Sequence, residues 1–281
     1  SAGQYGTLLT EVRLTVDART RRVIRKSAHQ NIVQGEAYRS ASGMVGLQPE
    51  FPVFDADAPV AALVARYKAA ARPLAEAGAG RLAAAASRMP QANGESVMGR
   101  IVADSILAAT RDASAGGAQL AFVNPGGVRA DLLPAADGSV TYGQLFSVQP
   151  FGNTLMVMSL TGEQIRQVLE QQFGSGSNTV NAPRILQVSE GFSYRFDRRR
   201  PAGRRVSELR LNGRLLEMSQ RYRVGLQSYL GSGGDNFSIF AQGIDVVGGM
   251  PDLDALAEHV REQSRSGPMA LPLKERITRV H

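Results

Sequence analysis

The order of helix-like and strand-like patterns constrains the fold of this 281-residue chain more than any other feature of its sequence. Up to about residue 180, helix patterns alternate with short apolar strand patterns, whereas strand patterns follow one another beyond Asn181. This order is typical of an α+β domain, and we predict mixed β-sheets flanked by helices. The predicted helices cover residues 57–73, 94–110, 141–146, 253–264 and a segment that begins at Thr161, and the predicted strands cover residues 120–123, 154–160, 185–188, 192–196, 206–211, 222–229 and 277–280.

Two short signals locate ends of these elements. Residues 161–164 read Thr-Gly-Glu-Gln, which is a capping box at the start of a helix. Asn212-Gly213 separates two strand patterns and predicts a tight hairpin turn.

The first 56 residues differ from the rest of the chain. Val12, Leu14 and Val16 alternate with polar residues before a turn at residues 17–20, so residues 8–33 predict a β-hairpin. Residues 34–56 have no period and contain several glycines and prolines. A hairpin followed by a long connector is unusual as the start of a domain. We therefore predict that residues 1–33 are the C-terminal hairpin of an upstream domain, residues 34–56 a connector and residues 57–281 a second domain.

The sequence lacks the residues of the common catalytic and metal sites. It has no cysteine, which excludes disulfides, thiolate zinc sites and a cysteine nucleophile. Its three histidines, His29, His259 and His281, have no carboxylate or second histidine at ligand spacing. The glycine-rich loop at residues 231–235 lacks the lysine of a phosphate-binding P-loop. We expect no catalytic residue, bound metal or cofactor in this chain. No apolar run approaches the roughly 20 residues that span a bilayer, so we also expect no membrane span.

The chain is basic, with a net charge of +7 and a pI of about 10.1. A basic chain favours anionic partners such as phosphates, nucleic acids or acidic surfaces. Much of the excess lies in the arginine-rich stretch at residues 195–214. A nucleic-acid interface would interleave aromatic residues with these arginines, but aromatic residues occur only at the start of the stretch. A solvated surface is therefore favoured, and nucleic-acid binding stays a minor alternative.

Several turns carry side chains that could recognise a small molecule. Asn124 and Arg129 bracket a two-glycine turn after a buried strand pattern, and Arg129 offers a forked cation. Phe151 and Asn153 place an aromatic ring near an amide, and Asp235 closes the glycine-rich loop. Taken singly, each residue has a structural explanation, because most phenylalanines lie in cores and aspartate is a common turn residue. Only their combination points to a binding site.

From residue 124 onward the sequence resembles the C-terminal domain of the 5′-nucleotidase / UDP-sugar hydrolase family, whose members are two-domain metallophosphoesterases. The matching segments occur in the family's order: NPGGVRADL at 124–132, TYGQLFSVQPFGNTL at 141–155, LTGEQI at 160–165, ILQVSEGFSY at 185–194 and YRVGLQSYLGSGGDNF at 222–237. The resemblance implies that this domain binds the nucleoside of a nucleotide substrate. By resemblance, the rings of Phe151 and Tyr229 would face each other and hold the base, Asn153 would contact the base edge, and Asp235 with Asn124 would bind the ribose.

By the same resemblance, Arg129 and Arg88 would contact the phosphate. Two positions depart from the family pattern. Tyr229 stands where phenylalanine is commoner, which adds a hydroxyl that needs a partner. Ala92 stands where some members have a further arginine, so the phosphate contacts are fewer.

The resemblance also implies what lies outside this chain. An upstream metallophosphatase domain would supply a pair of divalent metals and the attacking water, with its ligand motifs before Ser1. Residues 8–33 would be its last strands, and the chain alone would be inactive. The full-length protein would be a periplasmic or secreted hydrolase of nucleotide catabolism. A stand-alone, non-catalytic nucleotide-binding module is the alternative, although such a module would not need half a sheet from another domain.

Overall fold

The computed structural model describes residues 6–41 and 43–281, and the chain divides into two units, residues 1–72 and 73–281. The division assigns residues 57–72 to unit 1, whereas the sequence prediction placed them in the second domain. The assignment of residues 1–33 to an upstream domain stays a prediction.

Unit 1 begins with the predicted hairpin. Strands β1 (Leu8–Val16) and β2 (Val23–Ile32) pair antiparallel, and most of their side chains are exposed. The Asp17 carboxylate closes the turn by accepting from the backbone N–H groups of Arg19 and Thr20. The predicted connector is not wholly irregular, because it contains a small antiparallel pair, β3 (Tyr38–Ser40) and β4 (Gly43–Val45). Helix α1 (Ala58–Ala75) follows, with the Asp57 carboxylate accepting from the Val60 N–H.

Unit 2 contains the other helices and strands. The helices are α2 (Val97–Thr110), α3 (Tyr142–Val148), α4 (Gly162–Gln171), α5 (Ser228–Gly231) and α6 (Asp252–Gln263). The strands are β5 (Gly78–Arg81), β6 (Leu120–Val123), β7 (Ser139–Thr141), β8 (Thr154–Thr161), β9 (Gly174–Ser175), β10 (Asn178–Thr179), β11 (Gln187–Val188), β12 (Phe192–Phe196), β13 (Val206–Leu211), β14 (Arg214–Leu215), β15 (Arg221–Gln227), β16 (Ile244–Pro251) and β17 (Ile277–Arg279).

Two mixed sheets form the framework of unit 2. The five-stranded sheet has the order β11-β6-β15-β8-β16, in which β6 and β15 are parallel and the other pairs are antiparallel. The four-stranded sheet has the order β14-β13-β12-β17, with β12 and β17 parallel. Together with the flanking helices, these sheets confirm the predicted α+β fold.

The core of unit 2 lies on both faces of the five-stranded sheet. Because side chains alternate along a strand, Ala121 and Val123 of β6 face one apolar cluster, which includes residues of α2 and α6. Leu120 and Phe122 face a second cluster, which includes residues of α4 and of the four-stranded sheet. Burial on both faces explains why β6 reads as a continuous apolar run.

Local sequence signals were confirmed at several element ends. Thr161 and Gln164 form both hydrogen bonds of the predicted capping box at α4. Asn212 and Gly213 adopt positive φ angles of 50° and 80° between β13 and β14, as a two-residue hairpin turn requires.

Other predicted bounds were wrong. The strand predicted for residues 222–229 ends at Gln227, because Ser228 begins the short helix α5. The strand predicted for residues 185–188 is reduced to β11. Strand β16 was not predicted, since its side chains are exposed and it contains the Gly248-Gly249 pair.

A buried carboxylate ties the start of α2 to the C-terminal segment. Glu95 Oε2 accepts from the Asn93 side chain at 3.0 Å and from the backbone N–H groups of Arg276 and Ile277, both at 3.0 Å. The Arg100 guanidinium lies 3.7 Å away, and both side chains of this pair are fully buried. Burial raises the pKa of the Glu95 carboxyl, although the backbone donors and the Arg100 charge act in the opposite direction.

Candidate functional site

One cavity of about 490 Å³ in unit 2 brings together most of the predicted site residues. Six of the seven predicted side chains line it, and Gly126, Gly127, Arg184 and Gln227 complete the lining. The six are Asn124, Arg129, Phe151, Asn153, Tyr229 and Asp235.

The sheet topology explains this convergence. Strands β6 and β15 are parallel and adjacent, so the segments that follow Val123 and Gln227 leave the sheet at the same end of the strands. Strand β8 is antiparallel to β15 and pairs Leu155 with Gln227, so the start of β8 lies at that end as well. Residues far apart in sequence therefore meet at one end of the five-stranded sheet.

The two aromatic rings of the cavity are half exposed. The exposed fraction is 53% for Phe151 and 47% for Tyr229, whereas Phe122 of the core is fully buried. The core interpretation of Phe151 and Tyr229 is therefore excluded. The Arg129 guanidinium lies 5.6 Å from the centre of the Phe151 ring, which is within the range of a cation–π contact. The Tyr229 ring lies so close to Gly234 that a Cβ at that position would be 2.6 Å from the ring, so only glycine fits there.

Three other lining side chains contact the Asp235 carboxylate. Its Oδ2 accepts from the Asn124 amide at 2.6 Å, and its Oδ1 accepts from the Tyr229 hydroxyl at 3.0 Å. The Arg184 guanidinium lies 3.0 Å from Oδ1. Asp235 has a positive φ of 53°, and its carbonyl accepts from the Asn178 side chain at 2.8 Å. The Tyr229 hydroxyl that departs from the family pattern thus has a partner within the site.

A buried carboxylate behind the cavity positions two amides. Asp252 Oδ2 accepts from the Asn153 amide at 3.2 Å and from the Gln227 amide at 2.7 Å, while Oδ1 accepts from the Leu253 N–H. Burial raises the pKa of the Asp252 carboxyl, and these hydrogen bonds lower it. Because the amide nitrogens of Asn153 and Gln227 bond to Asp252, these side chains offer their oxygens to a ligand.

Arg88 does not belong to this group. Its side chain is exposed and does not line the cavity, and its backbone N–H donates to the Asp131 carboxylate at 2.8 Å.

Two lining residues, Gln227 and Arg184, were not predicted from the sequence. Gln227 lies two residues before Tyr229, and its position at the end of a buried strand pattern was a usable signal. Arg184 precedes a strand pattern in a proline-containing segment and carries no such signal.

None of the arginines in the arginine-rich stretch lines this cavity. Arg195 and Arg210 pair with Glu208, and Arg199 pairs with Asp197. A second cavity of about 450 Å³ at this turn has no aromatic residue in its lining, which consists of Arg200, Pro201, Gly203, Arg204 and Val206. This composition fits a solvated basic surface better than a stacking surface for nucleic-acid bases.

Residues 74–242 match the family described as 5′-nucleotidase, C-terminal domain. The chain belongs to this family. It is 36% identical over 153 residues to the trifunctional nucleotide phosphoesterase protein YfkN of Bacillus subtilis, covering 53% of this chain and 10% of that protein. It is 32% identical over 187 residues to the cell wall protein Lmo0130 of Listeria monocytogenes, covering 64% of this chain and 23% of that protein.

A solved structure resembles the chain over nearly its whole length. The 5′-nucleotidase precursor of Thermus thermophilus aligns with a TM-score of 0.71 and 27% identity, covering 99% of this chain and 51% of that one. The chain therefore spans between a tenth and about half of the length of these family members.

Residues 6–41 and 43–281 contain neither a candidate metal centre nor a membrane-spanning helix. No group of three or more histidine, aspartate or glutamate side chains there could hold a metal ion. No helix in the same ranges combines the length and apolar character needed to cross a membrane.

Proposed function

We propose that this chain binds the nucleoside part of a nucleotide and belongs to a larger, metal-dependent phosphoesterase that hydrolyses nucleotide phosphate esters. One observation carries the proposal. Two half-exposed rings, two arginines and a bonded carboxylate, contributed by four separate segments, line one cavity in a chain of the 5′-nucleotidase family.

The base would lie between Phe151 and Tyr229, where stacking contributes about 1–3 kcal/mol per base. A ribose hydroxyl would donate to Asp235, and the phosphate would lie towards Arg129, whose forked guanidinium suits a phosphate. Arg88, which does not line the cavity, would reach the phosphate only from outside it.

Hydrolysis is assigned to a domain outside this chain. A pair of divalent metals there would activate the attacking water, whereas this chain would position the nucleotide and be inactive alone. The chain spans only between a tenth and about half of the length of its relatives, which leaves room for a second domain in them. This coverage supports the proposed upstream metallophosphatase domain. Location outside the cytoplasm, as a periplasmic or secreted protein, is supported by the relative that is named a cell wall protein.

Calorimetric titration of this chain with adenosine tests the proposal. We expect saturable binding with a dissociation constant below about 1 mM, because one stacked base and one charged hydrogen bond together supply that affinity. Ribose, which lacks only the base, is the matched control and should bind far more weakly. Equal affinity for both ligands, or no saturable binding of adenosine, would contradict the proposal.

A further inference from the structure

The Asp235 carboxylate has little hydrogen-bonding capacity left for a ligand. An ionised carboxylate offers about four lone-pair positions, two on each oxygen. The Tyr229 hydroxyl donates to Oδ1 at 3.0 Å, and the Arg184 guanidinium lies 3.0 Å from the same oxygen. The Asn124 amide donates to Oδ2 at 2.6 Å. About one position therefore stays open, and it lies on Oδ2.

Asp235 Oδ2 lies beside the glycine turn that follows β6. A Cβ built on Gly126 would lie 3.5 Å from Asp235 Oδ2, so the absence of a side chain leaves space beside this oxygen. The opposite oxygen, Oδ1, lies between a phenol and a guanidinium. A ligand hydroxyl can thus approach Oδ2 but must displace a bonded group to reach Oδ1.

The Tyr229 hydroxyl is held too firmly to be displaced at low cost. It donates to Asp235 Oδ1 and also accepts from the Asp235 backbone N–H at 3.1 Å. Moving it would break both hydrogen bonds and leave the backbone donor without this partner.

We infer that Tyr229 determines ribose specificity: its hydroxyl takes the place of one ribose hydroxyl on Asp235, so the site binds only one of the two hydroxyls of the cis-diol. This inference rests on the proposed nucleoside site. It assigns the site to nucleosides that carry that one hydroxyl, and the other hydroxyl contributes little to affinity.

Titrations with adenosine, 2′-deoxyadenosine and 3′-deoxyadenosine test the inference on the whole chain. In the unmodified chain, one deoxy analogue should bind about tenfold more weakly than adenosine, as expected for a lost hydrogen bond to a charged group. The other analogue should bind within about twofold of adenosine, since its missing hydroxyl makes no bond to Asp235. In Tyr229→Phe, which keeps the ring and frees Oδ1, both analogues should bind about tenfold more weakly than adenosine.

Tyr142→Phe is the matched control. It removes a tyrosine hydroxyl that lies 3.5 Å from the Asp254 carboxylate and does not line the cavity, so it should reproduce the pattern of the unmodified chain. The inference would be overturned if both analogues bound tenfold more weakly in the unmodified chain, or if Tyr229→Phe left the relative affinities of the two analogues unchanged. In either case, adenosine binding would still support the proposed site. Absence of adenosine binding in the unmodified chain would overturn the proposed site and the inference with it.

Discussion

Replacing Phe151 with alanine should weaken adenosine binding by roughly 5- to 150-fold, which corresponds to one lost base–aromatic stack of about 1–3 kcal/mol. The same replacement should lower the free energy of unfolding by only about 1 kcal/mol, because the ring is 53% exposed and full burial of such a side chain contributes about 1.5–3 kcal/mol. Calorimetric titration measures the first quantity, and urea denaturation followed by circular dichroism measures the second.

Phe122→Ala is the matched control for Phe151→Ala. Phe122 is fully buried and packs against Phe192 and Phe240, with ring centres 5.5 and 5.8 Å away. Its truncation should lower the free energy of unfolding by about 3–5 kcal/mol. If Phe151→Ala were the more destabilising of the two, or left adenosine affinity intact, the ring would be structural and the proposed stack would be wrong.

Replacing Glu95 with alanine should lower the free energy of unfolding by about 3–5 kcal/mol, as expected when one partner of a buried ion pair is removed. The loss has two causes. The fully buried Arg100 would keep its charge without the nearby carboxylate, and the backbone donors of Arg276 and Ile277 would lose their acceptor. Urea denaturation at neutral pH measures the effect.

Glu262→Ala removes an ion pair of the opposite kind. Glu262 and Arg265 pair on the surface, with side chains 43% and 72% exposed, so the loss should stay below about 1 kcal/mol. If Glu95→Ala also lowered the free energy of unfolding by less than about 1 kcal/mol, the buried carboxylate would not stabilise the contact between α2 and the C-terminal segment.

The sequence predicted those parts of the fold that short-range chemistry determines. The capping box of Thr161 and Gln164, the Asn212-Gly213 turn and the apolar run of β6 each depend on a few neighbouring residues. Strand β16 was missed because its pairing with β8 comes from a distant partner, while its exposed side chains carry no alternating pattern. Its existence is a consequence of tertiary structure.

The site residues likewise divide into those that a local motif predicts and those that depend on distant contacts. Asn124, Phe151 and Asp235 lie in turns with glycine and aromatic motifs, so motif resemblance identified them. Arg184 and Asp252 act through contacts with Asp235, Asn153 and Gln227 that no local pattern encodes. Arg88 was assigned to the phosphate by the resemblance alone, and its side chain does not line the cavity.

A crystal structure of this chain with adenosine tests the central claim most directly. We expect the base between Phe151 and Tyr229, with the two ring planes roughly 7 Å apart, about twice a stacking distance of 3.5 Å. One ribose hydroxyl should lie within about 3.0 Å of Asp235 Oδ2. Adenosine bound outside this cavity, or bound inside it with the base away from both rings, would contradict the proposed nucleoside site.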